Sequence, residues 1–174
     1  MLTPKFWYPE KNEKSISSTA LIPLGFIYAL LSKFRMLQSV QKHSDVPIVC
    51  IGNLNVGGTG KTPTTISAAQ FLIEKGYDVH VVSRGYGGTA KGPLLINDKD
   101  YCASEVGDEA LMLSAYAPTW LADKRSAGIK NAISEGAEII LLDDGFQDPS
   151  FYKDLSILTV NAKKGFGNKR CIPA

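Results

Sequence analysis

Two hydrophobic rhythms divide the chain near residue 47. Before that point the dominant feature is one apolar run of 13 residues, 19–31 (TALIPLGFIYALL), with Lys5, Lys11 and Lys14 ahead of it and Lys33 and Arg35 behind. After it, short apolar runs alternate with amphipathic stretches, the pattern of repeated strand-helix units and of a mostly parallel sheet with helices on both faces. The pattern predicts strands at 48–51, 79–82, 119–122, 139–142 and 155–160, and a short extra strand at 94–96 that belongs to a hairpin. Helices are predicted at 61–75, stopped by Gly76; at 104–116, closed by Pro118; and from a cap at Asp123 to a stop at Gly136. Residues 139–142 (IILL) are apolar without interruption, as the centre of a parallel sheet requires. The chain therefore divides into an N-terminal basic and apolar helix region, 1–46, and an α/β core, 47–174.

A bilayer span needs about 20 apolar residues, so the 13-residue run is short for one. With its cationic flanks and the aromatic cluster Phe6, Trp7 and Tyr8, it suits a helix lying in the interface of an anionic leaflet. The competing reading is a helix packed on the core and kinked at Pro23. The order of charges fits no cleaved signal peptide.

Length and charge narrow the class. A chain of 174 residues, 44% hydrophobic and 21% charged, has material for one ordinary α/β domain and is not disordered. Three cysteines at wide spacings, Cys50, Cys102 and Cys171, match neither a zinc pattern nor a disulfide framework, and two histidines, His43 and His80, make a His-rich metal site improbable. Cys50 and His80 read as core residues. The net charge of +2 is unevenly spread. Residues 1–47 hold six Lys/Arg against three acids, 48–161 nine against fourteen, and 162–174 four against none. An acidic middle argues against a nucleic-acid partner and suits a site for Mg²⁺, a hard cation that needs carboxylate oxygens.

The chemistry concentrates in four motifs. Asn55-Val56-Gly57-Gly58-Thr59-Gly60-Lys61-Thr62 lies between a predicted strand and a predicted helix. Glycines there let successive N–H groups face phosphate oxygens at a helix N-terminus, Lys61 reaches the β- and γ-phosphates, and the Thr62 hydroxyl ligates Mg²⁺. Asn55 stands where the strict phosphate-loop pattern has glycine. Asp143-Asp144 ends the most apolar strand, the Walker B arrangement that places a carboxylate beside Mg²⁺ at the C-terminal edge of the sheet. The sequence does not divide the work between the two acids. Arg84-Gly85-Tyr86-Gly87-Gly88 follows another strand at the same edge, either as a dock for an anionic substrate or as a surface loop. Gly107-Asp108-Glu109 opens a helix, where acids suit the dipole without any further role.

Taken together and in order, Ile51-Gly52-Asn53-Leu54-Asn55 through Thr62-Pro63, Ser83-Arg84-Gly85-Tyr86, Gly107-Asp108-Glu109 and Leu142-Asp143-Asp144-Gly145-Phe146-Gln147 resemble the tetraacyldisaccharide 4′-kinase family, the lipid A kinases of Gram-negative bacteria. Pro4-Lys5-Phe6-Trp7-Tyr8 and the apolar helix after it match the family's opening, so the resemblance runs the whole chain. It implies a P-loop NTPase-like fold preceded by a membrane-associated helix. It implies ATP-dependent phosphorylation of the 4′-hydroxyl of a lipid A disaccharide precursor at the cytoplasmic face of the inner membrane. On the same basis Lys61 and Thr62 serve ATP and Mg²⁺, Asp143 and Asp144 fall on metal-associated acids, and Asp108 falls on an acid that activates the acceptor hydroxyl. Arg84, Tyr86 and Gln147 fall on the substrate side. Asp148 stands where the family usually has histidine. Family members are also much longer, and this chain stops at Ile172-Pro173-Ala174. The expectation is the N-terminal portion of a truncated or split gene, with the nucleotide-site residues retained, either working with a separately encoded C-terminal half or left as an impaired or inactive remnant. A P-loop ATPase of the partitioning or metal-chaperone kind, a nucleotide-dependent switch, is the alternative; Val56 replaces the lysine that group carries before its Gly-Gly pair.

Overall fold

Every predicted strand forms, and five of the six run parallel. In a computed structural model, which describes residues 19–38, 42–53, 59–97, 99–163 and 165–166, the strands are β1 (Ile48–Asn53), β2 (Val79–Ser83), β3 (Leu94–Leu95), β4 (Thr119–Leu121), β5 (Ile139–Asp143) and β6 (Leu155–Thr159). The helices are α1 (Ile22–Gln38), α2 (Lys61–Glu74), α3 (Ala103–Val106), α4 (Asp108–Ser114) and α5 (Arg125–Ser134). The sheet order is β3-β4-β2-β5-β1-β6, with only β3 antiparallel to its neighbour.

Side-chain alternation explains why this sheet is buried twice over. Ile48, Cys50, Val82, Ile140 and Leu142 point to one face, where they pack with Ile129 and Ala132 of α5. Val79, Val81 and Leu141 point to the other, against Ala69 of α2 and Leu113 of α4. β5 lies between β2 and β1, the interior place its unbroken apolar run foretells. The chain leaves β1 toward β2 on one side of the sheet and leaves β5 toward β6 on the other. Connections that diverge in this way open a crevice beyond the C-terminal ends of β1 and β5.

Three expectations shift. The helix predicted at 104–116 is two helices, because Gly107 adopts φ 88, a left-handed value that interrupts the helix and makes Asp108 the first residue of α4. Residues 94–96 form no tight hairpin: β3 pairs with β4 across the intervening α3 and α4. The cap of α5 is Lys124 rather than Asp123, with no side-chain bond to the helix.

Two compact units comprise Gln41–Asn53 with Gly60–Thr159, and Met1–Val40 with Leu54–Thr59 and Val160–Ala174. The first holds the sheet. The second contains α1, preceded by helical residues at Thr19 and Ala20 and a turn at Leu21, the break that Pro23 causes by withholding an N–H. Ile22, Leu24, Phe26, Ile27, Leu30, Leu31 and Phe34 of α1 are all exposed. At about 100° per residue they form one broad face spanning about 200° of its circumference. No helix among the described residues is long and apolar enough to cross a membrane.

Candidate active site

Three strand ends meet in the crevice. β5 delivers Asp143, β1 delivers Asn53 and β2 delivers Ser83, each buried. Register places Ile51 opposite Asp143, so β1 runs past the end of β5 and Asn53 overhangs the turn that follows. Asp144 occupies that turn at φ 51, which aspartate tolerates better than most residues, and its N–H donates to the Ile51 carbonyl at 2.9 Å.

Lys61 opens α2 directly after Gly60, whose φ of 84 turns the chain into the helix. Its ammonium donates to Asn53 Oδ1 at 3.2 Å and pairs with Asp144 Oδ1 at 3.3 Å. The lysine is mostly buried while Asp144 is half exposed, so solvent screens this pair and it contributes little to stability. Its value is positional: a cation held between the ends of β1 and β5.

Asp143 is the most perturbed group. Burial raises its carboxyl pKa to about 6, helped by the negative charges of Glu109 and Asp144 and opposed by Lys61 and a hydrogen bond from Ser83. Ser83 Oγ donates to Oδ2 at 3.4 Å. The other oxygen, Oδ1, is buried without a hydrogen-bond partner. A buried, unpartnered carboxylate oxygen is costly in a finished core and is what a cation site presents before the cation arrives. The residues here therefore fit a hard divalent ion.

Arg125, the first residue of α5 and 4% exposed, holds the acidic turn in place. Its Nη2 donates to the backbone carbonyls of Asp143 at 3.1 Å and Asp144 at 2.6 Å, and its Nη1 to Asp148 Oδ2 at 3.1 Å. Asp148 also faces Arg84 Nη2 at 3.6 Å. Burial works to raise the Asp148 pKa, but hydrogen bonds from Ser150 and the charge and bond of Arg125 outweigh it and hold the carboxyl below its usual range.

The loop after β2 lies flat against the α3–α4 junction. A Cβ on Gly85 would collide with Leu121 and the Val106 carbonyl, and one on Gly107 would stand 2.7 Å from the Tyr86 carbonyl. The glycines of the third and fourth motifs thus fit into one another, which sets the start of α4 beside the Arg84–Gly88 loop. Tyr86 itself is 95% exposed.

Of the residues singled out from sequence, Lys61, Asp143 and Asp144 come together, Arg84 joins them through Asp148 and Arg125, and Gln147 joins them by donating to the Asn53 carbonyl at 3.2 Å. Thr62 is half-buried in the first turn of α2, and Asp108 is exposed at the start of α4. It is the charge of Glu109 that acts on Asp143. Asn55, Val56, Gly57 and Gly58 lie outside the described residues, as do Phe6, Trp7, Tyr8 and Cys171; Thr59 is described and half-buried. Sequence reasoning passed over Arg125, and named Asn53, Ser83 and Glu109 only as members of motifs, without a role at the site. A signal existed for Arg125: a cation at the start of a helix with no acid in its first turn opposes the dipole and calls for another reason.

The family model for tetraacyldisaccharide-1-P 4′-kinase matches residues 17–174. Curated relatives include the tetraacyldisaccharide 4′-kinases of Jannaschia sp., 50% identical over the whole chain and 52% of the relative, and of Dinoroseobacter shibae, 47% identical with the same coverage. Among solved structures, that of LpxK from Aquifex aeolicus in complex with ATP superposes with a TM-score of 0.75 at 29% identity, covering 85% of this chain and 50% of that one. The chain thus spans about half the length of the curated relatives it matches.

Proposed function

The chain belongs to the tetraacyldisaccharide-1-P 4′-kinase family, and from that premise we propose that it binds ATP and serves transfer of the γ-phosphate to the 4′-hydroxyl of a tetraacyldisaccharide 1-phosphate in lipid A biosynthesis. The observation that carries this reading is the meeting of Lys61, Asn53 and Asp144 at the ends of β1 and β5, beside a buried carboxylate with an oxygen to spare.

In the transfer, the acceptor oxygen forms a bond to the γ-phosphorus as the bond from that phosphorus to the bridging oxygen breaks. ADP leaves, and the hydroxyl proton passes to a base. This chemistry is mostly positioning and neutralisation of charge. Residues 55–62 cradle the phosphates through backbone amides, and Lys61 exchanges its hold on Asp144 for phosphate oxygens. Thr62, Asp143 and Asp144 would hold Mg²⁺, which supplies neutralising charge on the phosphates. Ser83 and Arg125 keep the two acids in position. Asp108 accepts the hydroxyl proton, a role that rests on its place in the family motif and is favoured by its position beside the Arg84–Gly88 loop. Arg84, Tyr86 and Gln147 face the acceptor, with the Arg84 guanidinium suited to an anionic group.

Residues 1–46 work as a membrane-contacting region at the cytoplasmic face of the inner membrane. The support is α1, whose exposed apolar side chains form one broad face suited to an apolar surface. Isothermal titration of the chain with MgATP, followed by assay of labelled γ-phosphate transfer to tetraacyldisaccharide 1-phosphate in the same preparation, tests the whole reading. Magnesium-dependent ATP binding is the expected result, and its absence overturns the reading.

A further inference from the structure

Two guanidiniums share one carboxylate oxygen beside the acidic turn, and they hold it on unequal terms. Arg125 donates to Asp148 Oδ2 at 3.1 Å and is 4% exposed, whereas Arg84 Nη2 stands 3.6 Å from the same oxygen and the Arg84 side chain is 56% exposed. The first contact is a hydrogen bond. The second lies beyond hydrogen-bond reach and is a Coulomb attraction screened by solvent.

Asp148 is anchored without Arg84. Its Oδ1 accepts the N–H and the hydroxyl of Ser150, its own N–H donates to the Gly145 carbonyl at 3.1 Å, and its carbonyl accepts the Lys153 ammonium. With Arg84 withdrawn, each oxygen of this mostly buried carboxylate keeps a donor, so no charge is left buried and unpaired. The backbone around Arg84 is fixed. Ser83 ends β2 with its hydroxyl on Asp143, and Gly85, at φ 65, has no room for a Cβ against Leu121 and the Val106 carbonyl. Movement is therefore confined to the Arg84 side chain, which is rooted next to the residue that bonds Asp143.

We infer that Asp148 is a positioning residue that holds the Arg84 guanidinium loosely until a phosphate group enters beside the acidic turn, and then releases it to that group. Arg125 is its permanent partner and Arg84 its exchangeable one. A guanidinium meets phosphate through paired N–H donors, a stronger contact than the one it leaves. The inference rests on the kinase reading above, which supplies two sources of phosphate, the γ-phosphate of ATP and the 1-phosphate of the acceptor.

Isothermal titration of the chain and of its Arg84→Ala, Asp148→Asn and doubly substituted forms, with MgATP, MgADP and micellar tetraacyldisaccharide 1-phosphate, reads the exchange. Arg84→Ala weakens binding of the ligand whose phosphate it serves by at least about tenfold. Asp148→Asn removes the competing carboxylate and tightens the same ligand about threefold. In the Arg84→Ala background it changes affinity by less than about 1.5-fold, because the competition has gone. A weakening for MgATP and not MgADP assigns the γ-phosphate, and one confined to the disaccharide assigns its 1-phosphate. In the unsubstituted chain, the Arg84 side-chain Nε–Hε resonance shifts on binding while that of Arg125 stays, a readout that needs no variant to fold. Unchanged affinity in Arg84→Ala, equal weakening of the two nucleotides, weaker binding by Asp148→Asn, equal tightening with and without Arg84, or an Arg84 resonance that does not move each overturns the inference and leaves the kinase reading standing. An unsubstituted chain that binds none of the three ligands overturns both.

Discussion

Replacing Asp143 by asparagine should make the metal-free protein more stable at neutral pH. The wild-type carboxyl is raised from 3.8 to about 6, chiefly by burial. An acid whose pKa is raised by folding keeps its proton in the folded state when the unfolded chain has already lost it. Its contribution is fully present below the unfolded value, falls as pH rises from about 4 to 6, and is gone above that. The difference of about two pKa units corresponds to roughly 3 kcal/mol lost between those limits. Asparagine escapes that loss and its carbonyl still accepts the Ser83 hydroxyl, but its amide N–H groups enter a buried place with no acceptor ready, which costs about 1–2 kcal/mol. The net gain is about 1–2 kcal/mol, or a few degrees in melting temperature for a chain of this size. Calorimetry in EDTA between pH 5 and 8 reads it directly: the asparagine variant melts higher at pH 7.5, and its advantage shrinks toward pH 5. An asparagine variant that melts lower at pH 7.5, or a difference that does not change with pH, would refute the reasoning. With MgATP the order reverses, because the variant has given up a carboxylate that the ion requires.

Lys61→Ala removes a side chain that bridges the end of β1 and the turn after β5, and titration should find MgATP affinity reduced by at least about 100-fold, since a charge-assisted contact to phosphate is lost. Arg125→Ala leaves Asp148 without its buried partner and removes the donor that two carbonyls share; urea melts should show a loss of about 3 kcal/mol, with Arg125→Lys restoring only part because it lacks the fork that serves three oxygens. Removing residues 1–40 should lower recovery with anionic vesicles on sedimentation, and equal recovery would mean that α1 packs on protein instead.

Strands with continuous apolar runs, such as IILL of β5, were legible because burial on both faces leaves no other pattern. Boundaries moved at glycine and at polar strand ends. Asn53, Ser83 and Asp143 extend their strands by one or two residues because their side chains serve the site rather than the core, which a hydrophobicity pattern does not register. Gly107 was visible as a residue but not as a break, since a helix tolerates glycine; here it takes φ of 88 and leaves no room for a Cβ against the Tyr86 carbonyl. Lys61, Asp143 and Asp144 could be placed together because each follows or ends a strand of one parallel sheet. Arg125 was harder to place, because two of its three partners are backbone carbonyls, which leave no trace in residue type.

The most direct test of the account is to replace magnesium by paramagnetic Mn²⁺ in the presence of ATP and record which backbone amides lose intensity in a heteronuclear correlation spectrum. Broadening concentrated at Lys61, Thr62, Ser83, Asp143 and Asp144, and spared at Val79 and Ala137 toward the opposite end of the sheet, is the predicted result. Broadening that leaves the ends of β1 and β5 untouched would contradict it.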